Sequence, residues 1–262
     1  MTENTSKSLP DQITDFFIAL IFIGEIRPDD KLPPERTLAQ HLDVDRTSLR
    51  SALRTLANMN IVRSVQGSGI TVLDFQQHAK LNFAERICQI PELEIGSDWL
   101  WSAYEFKMTI MPTMIENAIK RKTSADLTEL QTLLKEQLKN AEMGAGSQQL
   151  AEMEMRIQKH IASTSNNPFY VFHSNTMLNL HVMLMATLYD NIDAKKHLNS
   201  QLAIVENSLK SSESVELLVE KYTAFLEKSA KPLEAILAKR KRQSHLVSSP
   251  LRHKPKMTTL NI

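Results

Sequence analysis

From Leu32 to Val72 the chain sets two short apolar stripes at helical spacing on either side of Asp43-Val44-Asp45, then closes on two apolar runs joined through glycines. The first stripe is Leu38 and Leu42, behind Pro33 and Pro34, which suit a helix start because proline's missing N–H has no partner there anyway. Val44 is the apolar residue of the joint. Asp45 stands where a helix wants an N-cap and can accept a hydrogen bond from the first free backbone N–H groups. Leu49, Leu53 and Leu56 then recur at i, i+4 and i+7, one apolar face of an amphipathic helix. Arg46, Arg50 and Arg54 form a second stripe that drifts by about 40° per step. Val65-Gln66-Gly67-Ser68-Gly69-Ile70-Thr71-Val72 reads as a tight hairpin. Two short helices joined by a brief turn, the second opening on Arg46-Thr47-Ser48, is the layout that places a helix in a DNA major groove. Arg54 lies late in that helix and reads as a solvated charge. Arg46, Thr47, Ser48 and Arg50 read as groups for bases and phosphates.

The binding reading has to rest on that local stripe. From Met1 to Phe75 there are eight Lys/Arg against ten Asp/Glu, and the whole chain carries a net charge of +1, which excludes a generic polyanion-coating protein. At 262 residues the chain has room for two cores, and six glycines amid abundant Leu, Met, Ala, Glu and Lys favour helices. The single cysteine, Cys88, excludes an internal disulfide, fits a reducing cytoplasm and reads as a packed residue. Met1-Thr2-Glu3 lacks the basic start of a secretory signal. The apolar run Phe16 to Ile23 is shorter than the ~20 residues of a membrane span and reads as a buried first helix. A cytoplasmic protein without membrane attachment is expected.

The stretch from about Asp11 to Phe75 resembles the winged-helix domain of the GntR family of bacterial transcription regulators. The family's Leu-Pro-x-Glu-Arg-x-Leu-Ala, Val-x-Arg-Thr-x-Leu-Arg, Leu-x-x-Leu and Gln-Gly-x-Gly stand here in order. The resemblance implies a homodimeric repressor or activator on operator DNA, with affinity set by a small effector held in a second, helical domain. It places Arg36, Arg46, Thr47, Ser48, Arg50, Gln66 and Gly67 at DNA. Two departures weaken the electrostatic pull: Gln66 and Ser68 flank Gly67 where basic residues are usual, and Asp45 replaces Ser or Thr.

Past Phe75 long helices follow, expected at about Asp98–Lys122, Ser124–Met143, Leu150–Ser163, Pro168–Tyr189, Asp193–Leu209 and Ser214–Arg242. Ser124 with Leu127, Leu130, Leu134 and Leu138 reads as a capped amphipathic helix. Ser165 to Tyr170, then Asn175, Met177, Leu180, Asn191, Val215, Val219 and Tyr222, resemble the effector domain of the FadR branch. That branch implies a long-chain acyl-CoA in the bundle, and it places Lys107, Tyr104, Tyr170, Asn175 and Tyr222 at the ligand. Lys107 stands where the branch has arginine, and Tyr222 to Glu227 replaces the branch's glycine-rich segment. A sister branch holds a metal through an aspartate and three histidines. Glu154, Gln158 and Ala224 occupy matching positions here, and His160, His173 and His181 form no i, i+3 or i, i+4 pair, so no metal is expected. Met108, Met111, Met114, Met177, Met183 and Met185 suit the wall of an acyl cavity and equally a ligand-free core.

These readings give a mainly α protein with a winged helix-turn-helix and small β-hairpin at 1–75. A linker or first helix is expected at 76–97, a helical ligand-binding and dimerisation bundle at 98–238, and a basic disordered tail at 239–262. No Gly-x-Ser-x-Gly, His-Glu-x-x-His or phosphate-cradling loop occurs, and no cofactor or enzymatic activity is expected. The alternative functional reading is a regulator of the same type with a different organic-acid effector, or with a bundle that only dimerises.

Overall fold

The computed structural model describes residues 7–65, 69–210 and 214–251, without the side chains of 208–210. The chain divides into two units: Met1–Ile95 together with Gln243–Ile262, and Gly96–Arg242.

The first unit opens with α1 (Leu9–Phe22), capped by Ser8. Ile13, Phe16, Phe17, Ile18, Leu20 and Ile21 are all buried, so this helix is apolar around most of its circumference, as a central core helix should be. It packs on α3 (Arg46–Asn58), which follows β1 (Lys31–Leu32) and α2 (Glu35–Leu42). Leu38, Leu42, Leu49 and Leu56 face inward with no exposed surface, and Leu53 is buried beside them. The expected face of α3 is therefore the real one. Asp43 ends α2 in the left-handed region at φ 52°, and Asp45 caps α3 by accepting from Ser48 N at 2.8 Å. Val44 is only half-buried.

β2 (Val62–Val65) and β3 (Gly69–Val72) form the hairpin, with Val65 opposite Gly69, and β1 adds antiparallel to β3. Gly69 takes φ +89°, which explains glycine at that corner. Gln66 and Gly67, the hairpin positions assigned to DNA, lie outside the described residues.

The stretch 76–97, expected as a linker or first helix, contains short helices. α4 (Phe75–His78) and α5 (Leu81–Ile87) fold onto the winged unit, and Phe22, Phe75 and Phe83 pack with ring centroids 5.4 to 6.5 Å apart. Arg86 donates to Asp15 at 2.6 Å and to Asp11 at 3.0 Å, tying α5 to α1. The expected disordered tail is corrected. β4 (Leu93–Glu94) pairs antiparallel with β5 (His245–Leu246), Val247 N donates to Glu92 O, and Pro250 and Leu251 are buried. The basic residues drew attention away from the apolar ones that anchor this return, which needs a partner 150 residues earlier in sequence. Arg252, Lys254 and Lys256 lie outside the described residues.

The second unit is helical: α6 (Ser97–Arg121), α7 (Ser124–Glu142), α8 (Ser147–Thr164), α9 (Pro168–Thr176), α10 (Leu178–Tyr189), α11 (Ala194–Lys210) and α12 (Val215–Leu237). α8 is the central element, packed by α6, α7, α9 and α10. The helix expected over Pro168–Tyr189 is two, broken at Met177, whose φ of −98° and ψ of 16° leave the helical region. The cap of α7 is Thr123 in a capping box with Asp126, one residue ahead of the expected Ser124.

Candidate functional site

Two regions hold the chemistry, one in each unit. In the winged unit, Arg46, Thr47 and Arg50 stand exposed on the outer face of α3, Ser48 is half-buried, and Arg36 is exposed on α2. Arg36, Gln40, Asp43, Val44, Asp45 and Arg46 rim an open hollow at the joint between the two helices. Of the expected DNA set, Arg36 and Arg46 share that hollow. The structure adds Glu35, which the sequence reading left out. The Arg50 guanidinium donates to Glu35 Oε2 from Nε at 3.2 Å and Nη2 at 2.9 Å, so a forked bond crosses from α3 to α2. That bond restricts a flexible cation to one direction. It was invisible in sequence because the partners are fifteen residues apart on two helices.

The Asp45 carboxyl is held below the usual carboxylate range by the Ser48 hydroxyl and backbone that it caps. It therefore stays charged beside Arg46, and its role is the cap.

In the helical unit, Lys107, Glu154, Tyr104, Tyr222, His197 and Gln201 meet around a small chamber with a free volume of about 10 Å³, lined also by Met185, Leu188, Phe225 and Leu226. Lys107 is 3% exposed, yet the only hydrogen-bond acceptor it has among the described residues is Met185 Sδ, at 3.1 Å. Burial drives its pKa down, and the negative charge of Glu154 acts against that. Glu154 is occupied elsewhere. Its Oε2 accepts from Gln137 Nε2 at 3.2 Å and Tyr189 OH at 3.4 Å, and its Oε1 accepts from Gln201 Nε2 at 3.5 Å. Burial and then Glu154 push the Tyr189 hydroxyl well above its ordinary pKa, and the same two causes raise that of Tyr222. Tyr104 donates to Leu226 O at 2.9 Å and is pushed up to about 12 by burial, so these phenols are neutral donors.

Beside the chamber runs a largely apolar cleft with a free volume of about 110 Å³. Its walls include Ile115, Leu130, Leu134, Ile157, Val205 and Leu218. Gln201 and Tyr222 line both spaces.

Of the five residues expected at the ligand, the structure brings Lys107, Tyr104 and Tyr222 together. Tyr170 packs instead against the apolar cluster around Met111 and Ile161, and Asn175 is exposed on α9, a short helix whose buried contact runs through Ser174. The polar groups that sequence reasoning did not place at a ligand are Glu154, Gln201 and His197. Glu154 could have been found from α8 itself, since Glu154 and Gln158 interrupt its buried face of Leu150, Met153, Ile157 and Ile161. Met111 and Met114 fill the core cluster, and of the six methionines only Met185 reaches the chamber; the cleft is walled by Ile, Leu and Val. Among the described residues no His, Cys, Asp and Glu group is arranged to hold a metal ion, and no helix is long and apolar enough to cross a membrane. Cys88, pushed up to about 12 by burial, is a thiol.

Comparison with known proteins agrees with this division. The family described as "Bacterial regulatory proteins, gntR family" matches residues 10–72, and the FCD domain matches residues 102–209. The HTH-type transcriptional regulator Mce2R of Mycobacterium tuberculosis is 33% identical over 48% of this chain and 52% of its own length. The Uxu operon transcriptional regulator of Escherichia coli is 28% identical over 65% and 64%. The fatty acid metabolism regulator protein of Shewanella pealeana is 25% identical over 69% and 72%. The chain spans about half the length of the first of these. A solved structure of Lar, described as controlling the Listeria monocytogenes agr system, shares the fold with a TM-score of 0.57 at 17% identity, over 88% of this chain and 99% of that one.

Proposed function

The chain joins a DNA-binding domain of the gntR family to an FCD domain, and on that premise we propose that it is a sequence-specific transcriptional regulator controlled by a small effector in its helical unit. Arg36, Arg46, Thr47, Ser48, Arg50, Gln66 and Gly67 are the residues assigned to DNA. The protein acts as a homodimer on paired half-sites, because one short recognition helix reads too few base pairs to select an operator alone. The effector is a fatty-acyl molecule. A long-chain acyl-CoA is the form that the FadR resemblance implies, and two relatives are named fatty acid metabolism regulator proteins.

The observation that carries the ligand reading is the buried Lys107 beside an apolar cleft. A bundle that served only for dimerisation gains nothing from a buried amine whose sole hydrogen-bond acceptor among the described residues is a thioether. Effector binding shifts the regulator between two states of different DNA affinity, a coupling of about 1–3 kcal/mol. The test is selection of DNA sites from a random pool, followed by anisotropy titration with and without palmitoyl-CoA. A selected palindrome whose binding weakens with a fatty-acyl species, palmitate or palmitoyl-CoA, and not with CoA supports the reading. Failure to enrich any site overturns the DNA-binding role.

A further inference from the structure

The chemistry of the chamber defines the head group it receives. Lys107 is enclosed, and the nearest anion, Glu154, has both oxygens engaged by neutral donors from α7, α10 and α11. A buried cation with no oxygen acceptor is costly. An incoming oxyanion would supply the missing partner; the Tyr222 hydroxyl lies on the same wall, while Tyr104 already gives its proton to Leu226 O. The other half of the ligand is fixed by the cleft. Its walls are mostly aliphatic, with Lys122 and Ser214 among them, and among the described residues it shares only Gln201 and Tyr222 with the chamber. Turning those two side chains aside joins a cationic end to an aliphatic one.

We propose that the helical unit binds an unesterified aliphatic carboxylate, its carboxylate on Lys107 Nζ and its hydrocarbon chain in the cleft past Gln201 and Tyr222. This rests on the reading of the helical unit as an acyl effector site, and it specifies which acyl species enters. A CoA thioester presents a neutral carbonyl oxygen, which brings no counter-charge to the ammonium, and it requires an exit for the bulky CoA at the head-group end. Tyr104, Met185 and Leu226 are among the residues that line the chamber. The free acid needs no such exit.

The experiment is a calorimetric and thermal-shift titration of the full chain with decanoate, decanol and decanoyl-CoA. Decanoate is expected to bind and raise the melting temperature, and decanol and decanoyl-CoA to bind at least about tenfold more weakly. Lys107→Met keeps the length of the side chain and removes the charge. It is expected to lose decanoate binding by about tenfold or more while unfolding cooperatively. Leu218→Trp, on the cleft wall, is a second variant should the first not fold: it is expected to weaken decanoate while leaving short acids such as propionate unaffected. Equal binding of decanoate and decanol, or full decanoate affinity in Lys107→Met, overturns the carboxylate assignment. Binding of decanoyl-CoA with no binding of decanoate overturns it too, and leaves the acyl-effector reading in place. Failure of all three, and of palmitoyl-CoA, removes that reading as well.

Discussion

Arg50 shows how one residue's worth depends on its neighbour. A solvent-exposed pair with Glu35 contributes little stability by itself, since both partners are hydrated. Its effect is orientation: the fork holds the guanidinium across the α2–α3 joint, where a base edge or phosphate would meet it. Replacing Arg46 or Arg50 by Ala is expected to weaken operator binding by about 1–3 kcal/mol each. Anisotropy titrations on selected DNA check this, and unchanged affinity in both variants would mean that α3 does not read DNA. Glu35→Gln is expected to cost less, because it loosens Arg50 without removing it. The arginines were legible in sequence from their spacing. Glu35 was not, since nothing in a one-dimensional string says which acid meets which base across a turn.

At the scale of elements, α5 decides where the winged unit ends. Its sequence carries two anchors, Phe83 and Arg86, and both find partners on α1. Asp15 is 1% exposed and takes Arg86 at 2.6 Å and Lys7 at 2.6 Å. Removing it leaves the partly buried Arg86 guanidinium with Asp11 alone. Asp15→Ala is therefore expected to cost about 3 kcal/mol, read as a shift in the urea midpoint, and to expose α5 to proteolysis. A shift under a few tenths of that would show that aromatic packing alone holds α5. The recognition helix and α7 were readable from periodicity and capping, because those signals are local. The break at Met177 and the β4–β5 pairing were not. The first lacks a proline or glycine to announce it, and the second joins strands of two residues each.

For the whole molecule, acid sensitivity has an identifiable source in the helical unit. Both ring nitrogens of His181 are buried without a hydrogen-bond partner among the described residues. Burial first, then the charges of Lys107 and His173, lower its pKa from 6.5 to about 3. The folded state thus refuses a proton that the unfolded chain accepts below 6.5. The stability this supplies is complete above that pH and falls as acidification proceeds toward 3, by up to about 1.4 kcal/mol per pH unit. Urea unfolding at pH about 7 and about 5 should show the loss, and His181→Leu should flatten it; an equal slope in both proteins would place the sensitivity elsewhere. What the sequence determined alone was the kind of molecule: a winged helix-turn-helix and an all-helical second unit, each written in short-range periodicity, caps and turn residues that act within a few positions. The tertiary structure decided which side chains share a space. Lys107, Glu154, Gln201 and Tyr222 come from four helices, and Tyr170 and Asn175, close to them in the resemblance, fold away. A helix's local pattern fixes which face is buried; the crossing of several helices fixes what that face meets.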